Sequence, residues 1–210
     1  MPLQVHALCS YYTDHAHKEV PRTKDQWDAT MLCLAVKRRE IKGYISAYFS
    51  GHYLRVNGNT VGAARGFFGS FVRHKAVELG FDDCVFVPVP SKDSFQKPTF
   101  RSYLMVVESL GQVMHHRIVN CMRFTRDLQP AHEGGLRGFH HLYPYMECTM
   151  NMNGKRVILV DDLATTGGSL RATQARIVEA GGEVVCGIVC GRTDDHTAHP
   201  LQTVSWTFEW

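Results

Sequence analysis

The 210-residue chain holds seven cysteines but no Cys-x-x-Cys pair. Zinc ribbons and dithiol redox motifs depend on that spacing, so neither is indicated, and no metal-ligating set is expected. Cys84, Cys121, Cys186 and Cys190 lie in apolar runs that read as strands. Buried thiols in a reducing, cytoplasmic setting are expected from that placement. Cys9 and Cys33 lack an evident base partner, which argues against a cysteine nucleophile. No apolar stretch approaches the roughly 20 residues that cross a bilayer, so no membrane partner is expected. The opening MPLQVHALCSYYTDHAHKE lacks both a basic start and a long apolar core, so no signal peptide is expected.

Runs of like charge are missing too. The net charge is only +3, and the densest basic cluster, Val36–Glu40 (VKRRE), reads as an exposed helix face. A pI near 8.5 and that cluster are all that speak for nucleic acid, short of the footprint such proteins carry. Histidines recur at Asp14–His17, His115–His116, His140–His141 and Asp194–His199. None pairs two histidines with a carboxylate at helical spacing, so they read as surface or packing residues.

What is present is an alternation of apolar runs and helical patterns. A helical pattern covers Trp27–Tyr48 within a less regular segment 1–60. Val61–Leu79 repeats apolar residues on a helical period and stops at Gly80. Cys84–Pro90 (CVFVPVP) is a continuous apolar run, and a helix is predicted over Phe100–Met114, then a short strand over Ile118–Phe124. Thr125–Tyr145 has little periodicity and reads as a long functional loop. After it come the apolar run Arg156–Val160, a helix over Ser169–Ala180, the stop Gly181–Gly182 and the run EVVCGIVCG. Trp206, Phe208 and Trp210 alternate like a half-buried terminal strand. Strands apolar on both faces and alternating with helices predict an α/β fold with a mostly parallel sheet flanked by helices. The division expected is a small N-terminal hood over 1–60 and a core over 61–210.

The densest chemical signal is RVILVDDLATTGGSLRAT, Arg156–Thr173. Ligands of open parallel sheets bind beyond the carboxyl ends of the strands, which is where Asp161 and Asp162 fall. The turn Ala164, Thr165, Thr166, Gly167, Gly168 and Ser169 leads into a helix whose first N–H groups have no helical partner. With the hydroxyls added, that turn suits a phosphate. Two carboxylates repel the same phosphate but accept hydroxyls, so a sugar phosphate fits. A P-loop needs a lysine after its glycines, and a dinucleotide fingerprint puts its glycines before the acid; the stretch has neither.

VILVDDLATTGGSL resembles the PRPP-binding motif of type I phosphoribosyltransferases, with Ala164 where a larger aliphatic residue is usual. CVFVPVPSK resembles the strand and pyrophosphate loop of the ComF-like branch, and RFTRDLQPAHEGGLRGFHHLYPYM resembles its arginine-bearing segment. The zinc-type cysteine cluster of many ComF proteins has no counterpart, and SFQKPTFRSY replaces an Arg-rich segment. The collinear match runs from about Cys84 to Thr193. The resemblance implies the type I phosphoribosyltransferase fold and transfer from PRPP to a nitrogen nucleophile, a nucleobase or amine, with Mg²⁺ and release of pyrophosphate. Asp161 and Asp162 would hold the ribose hydroxyls, and Ala164–Ser169 the 5-phosphate. Ser91, Lys92 and Arg101 would meet the pyrophosphate. Arg126 and Arg137, with Arg123 close by, would bring cations over the leaving group. A homodimer is common in the family. The alternative from another class is a catalytically silent PRPP- or nucleotide-binding regulator or accessory protein, in DNA uptake or defence.

Overall fold

The computed structural model describes residues 2–12, 23–38, 41, 43–128, 138–194 and 204–208. Its centre is a five-stranded sheet of β1 (Leu3–Tyr12), β4 (Val85–Pro88), β7 (Arg156–Ala164), β8 (Glu183–Asp194) and β9 (Val204–Phe208). Their spatial order is β4-β7-β8-β1-β9; the first four run parallel, and β9 closes the edge antiparallel to β1. The fold is therefore α/β with a mostly parallel sheet flanked by helices.

Alternation along β7 explains the layering, because successive strand side chains point to opposite faces. Ile158 and Val160 join one core, with α1 (Lys24–Arg38), α2 (Ala63–Glu78) and α3 (Arg101–Met114). Val157 and Leu159 join the other, with α5 (Gly168–Glu179) and the short helix α4 (Phe139–Leu142). All four side chains are fully buried, which is why the run reads as apolar without a period.

Two sequence expectations are corrected. The helix predicted to continue to Tyr48 ends at Arg38, and Tyr44–Phe49 (β2) and His52–Asn57 (β3) form an antiparallel hairpin. Its two-residue turn has positive φ at both Ser50 (44°) and Gly51 (83°), the conformation that matches strand twist in tight hairpins. The strand predicted over Ile118–Phe124 shrinks to β5 (Met122–Phe124), which pairs antiparallel with β6 (Met146–Cys148) in a separate two-stranded sheet. Ile118 makes one isolated bridge to Phe86. The boundary at residue 60 also crosses the sheet, since β1 pairs with β8 and β9. Of the segment 1–60, α1 packs on the sheet, the hairpin packs on α1 and α2, and β1 is part of the sheet.

Helices α2 and α3 meet where Gly69 leaves no room. A Cβ added there would lie 1.7 Å from the Ser109 carbonyl oxygen. Gly69→Ala is expected to destabilise the fold by at least about 1–3 kcal/mol, the scale of core overpacking, with the two helices forced apart. Urea unfolding checks it; a parent-like midpoint would show that the contact yields without cost.

Candidate functional site

An open cleft of about 720 Å³ lies beyond the carboxyl ends of β4 and β7. Its wall includes Ser91, Lys92 and Arg101 on one side, and Asp161, Asp162 and the whole turn Ala164–Ser169 on the other. Those eleven predicted positions share one cavity. Arg126 is not on that wall; its guanidinium lies 3.5 Å from the centre of the Tyr145 ring. Arg137 lies outside the described residues, as do most of the Asp14–His17 and Asp194–His199 histidine stretches.

The turn is shaped by its neighbours as much as by any ligand. Gly167 takes the left-handed conformation (φ 70°) as the residue preceding α5, and no side chain caps the helix. A Cβ on Gly167 would meet the Phe208 ring at 2.4 Å, and one on Gly168 would meet the Gly138 backbone at 2.6 Å. The close approach these glycines allow is to protein. Thr165 and Thr166 are exposed, and Ser169 is half-buried on the cleft wall. The uncapped first N–H groups of the 12-residue α5 carry the positive end of its dipole into this space.

Adjacent strand residues face opposite ways, and the two acids accordingly meet different neighbours. Asp162 is only 5% exposed and accepts a 2.8 Å hydrogen bond from Arg101 Nη1, with Lys37 Nζ at 3.6 Å. Burial alone would push its carboxyl up, but the two cations together outweigh burial and hold it below the usual carboxylate range. Asp161 accepts the Asp162 backbone N–H at 2.8 Å. Burial, and then the negative charge of Asp162, push it well above the usual range. The two carboxyls are therefore pushed in opposite directions, and they titrate as a pair.

Lys37 is the residue the sequence reading missed. It belongs to a basic cluster expected on an exposed face, yet it lines the cleft and reaches Asp162. The signal was its position four residues after Cys33, on the stripe of α1 that also buries Ala29, Leu32 and Val36. Buried Arg65 fixes that end of α1: its Nε donates to the Val36 carbonyl (2.9 Å) and its Nη2 to the Lys37 carbonyl (3.3 Å). Arg65 Nη1 also bonds Glu108 of α3 at 2.8 Å. One side chain therefore joins α1, α2 and α3 behind the cleft.

The loop after β4 closes on itself. The Ser91 N–H, expected to face a pyrophosphate, donates to Ser102 Oγ at 3.0 Å, and the Ser102 N–H returns to Ser91 Oγ at 3.2 Å. Asp93 accepts the Arg101 N–H at 3.0 Å at the start of α3. Arg101, expected to meet a pyrophosphate, donates to Asp162 instead.

The cleft also bears on Mg²⁺. Its carboxylates and hydroxyls are the hard oxygen donors that ion takes. Among the described residues no third histidine, cysteine or carboxylate joins the acid pair. A small set of this kind suits an ion that draws its other ligands from substrate phosphates and water.

No protein-family model and no curated protein matches the chain. Solved structures similar to it include adenine phosphoribosyltransferase from Saccharomyces cerevisiae, bound to an imino-altritol bisphosphate and adenine. That likeness covers 79% of this chain and 88% of the other, with 16% identity and a TM-score of 0.43. A second is orotate phosphoribosyltransferase from Mycobacterium tuberculosis H37Rv with Fe(III) dicitrate. It covers 79% of this chain and 94% of the other, at 18% identity and a TM-score of 0.37. Similarity at that level leaves the assignment to the chemistry of the cleft.

Proposed function

We propose that the cleft binds PRPP and transfers its phosphoribosyl group to a nitrogen acceptor, releasing pyrophosphate. The protein would then be a type I phosphoribosyltransferase with the motif order of the ComF-like branch. One observation carries this reading: a single cavity joins the adjacent acids Asp161 and Asp162, the second of them buried, to the uncapped turn at the start of α5. A phosphate suits the turn and hydroxyls suit the acids, and a ribose 5-phosphate carries both.

The turn Ala164–Ser169 would hold the 5-phosphate through N–H groups of α5 and the Thr165, Thr166 and Ser169 hydroxyls. Asp161 and Asp162 would accept or exchange hydrogen bonds with the ribose hydroxyls. The Asp162 anion would then lie near the carbocation-like centre formed as the C1–O bond breaks. Lys92, and Arg101 once ribose draws it off Asp162, would meet the pyrophosphate. Mg²⁺ held near Asp161 and Asp162 would neutralise charge on the leaving group. Arg126 and Arg137, both within the stretch Thr125–Tyr145, would add cations over the leaving group and help exclude water. The hood of this reading consists of α1 and the β2–β3 hairpin, and would choose the acceptor.

Calorimetry with PRPP, followed by a pyrophosphate assay with Mg²⁺ and pooled nucleobases and amines, tests the proposal. PRPP at a hundred times its Kd should stabilise the fold by about 2.7 kcal/mol. Arg126→Ala and Arg137→Ala should leave affinity within a few-fold, and at least one should lower release about a hundredfold. Absence of binding to PRPP, ribose 5-phosphate and nucleoside monophosphates alike would sink the site. Tight binding without release under any acceptor would hand the cleft to the silent regulator.

A further inference from the structure

Cys9 on β1, Cys33 on α1 and Cys190 on β8 converge below the cleft, although Cys9 and Cys190 are 181 residues apart in the chain. Their three Sγ atoms all lie within 4.8 Å of one another, and Cys9 and Cys33 are 3.5 Å apart. We propose that Cys9, Cys33 and Cys190 form a buried three-thiolate site for a thiophilic d¹⁰ cation, of the zinc(II) or copper(I) class, that ties α1 to the sheet.

The geometry fits without rearrangement of the backbone. Thiolates about 2.3 Å from one metal centre in a trigonal set lie roughly 4 Å from each other. The Cys9–Cys33 sulfur distance of 3.5 Å and the 4.8 Å limit on all three are compatible with that separation. All three side chains are 0–1% exposed, so the site is closed to water and to hard, strongly hydrated cations. The other polar contacts of Cys9 Sγ are the Cys190 carbonyl oxygen at 3.4 Å and the Ala29 carbonyl oxygen at 3.9 Å. Binding would form metal–sulfur bonds and release the thiol protons to solvent; no electrons move. β1 and β8 are already paired in the sheet, so the ion would add a bonded link from that pair to α1. Cys33 lies one helical turn before Lys37, so the ion would also fix the helix end that reaches Asp162.

The test uses the full chain, reduced and stripped of metal, and does not require PRPP binding. Cd²⁺ is titrated while thiolate-to-metal charge-transfer absorption is followed, and Zn²⁺ and Cu⁺ compete against it. One equivalent should bind, the melting temperature should rise with occupancy, and the stronger competitor identifies the class. Cys33→Ala should weaken binding by at least ~100-fold, beyond the loss from an outer-shell partner. The control Cys121→Ala/Cys148→Ala, a second thiol pair remote from this site, should keep the parent affinity. X-ray absorption on the loaded parent should count three sulfurs, a readout that survives if Cys33→Ala fails to fold. Binding that follows Cys121 and Cys148, fewer than three sulfurs, or no binding at all would overturn the proposal. So would a parent protein that forms a Cys9–Cys33 disulfide, seen as a two-hydrogen mass loss, and takes up no ion.

Discussion

Asp161→Asn is expected to raise the thermal stability of the ligand-free protein while weakening PRPP binding about 10–100-fold. The binding loss is that of a hydrogen bond to a charged group. The gain in stability follows from linkage. Burial and the neighbouring Asp162 charge raise the Asp161 carboxyl in the folded state. A raised carboxyl costs stability as pH climbs from its unfolded value, near 4, toward its folded one. At neutral pH an amide removes that cost. Asp162 has the opposite sign: against burial, Lys37 and Arg101 hold it low in the folded state. Its contribution is present above about pH 4 and is lost as pH falls through the folded value. Asp162→Asn should therefore destabilise, by about 1–2 kcal/mol, because the 42% exposed Arg101 is partly screened by water. Melting curves at neutral and acidic pH, with calorimetry on both variants, decide it. Changes of the same sign in the two would refute the division of charge, and parent-like PRPP binding in both would reduce the acids to structural groups.

Lys37→Met is expected to slow pyrophosphate release about a hundredfold and to move the acid limb of the pH–rate profile upward. Lys37 Nζ is 3.6 Å from Asp162 and only 27% exposed, so its field is weakly screened. Without it, burial is opposed by Arg101 and the Leu163 N–H, and the Asp162 carboxyl rises. The anion then forms only at higher pH, which shifts the limb. The rate loss is the scale for an electrostatic contact in a cleft. Lys37→Arg restores the charge and should recover most of both effects. A lower rate with an unmoved limb would make Lys37 a packing residue of α1, and the role of Asp162 as the working anion would fall with it.

The sheet and most of the cleft were legible because both depend on local pattern. Runs such as Ile158–Val160 are apolar without period only when both faces are covered, and the polar turn after them sits where a strand must hand over to a helix. The hairpin was not read from the sequence: the helical pattern was carried through Tyr48, across the alternation on either side of Ser50–Gly51. Lys37, Arg65 and the redirected Arg101 were not legible. Each acts across elements, and spacing along one helix cannot say which carboxylate another helix will bring. The thiol trio is the extreme case, since its members come from β1, α1 and β8.

The position of β1 has a consequence for how the chain is made. Cys9 of β1 and Cys190 of β8 meet across 181 residues, and β1 lies between β8 and the terminal β9. A ribosome adding 5–20 residues per second releases β1 on the order of ten seconds before its first sheet partner exists. Through that interval Leu3, Val5, Ala7 and Leu8, all buried at the end, have nowhere to go. β4 and β7 can pair early, so nascent chains should acquire a half-sheet that stays open on its β8 side until β8 is made. Holdase chaperones, protecting the free apolar strand β1, are the cellular factors on which its yield should depend.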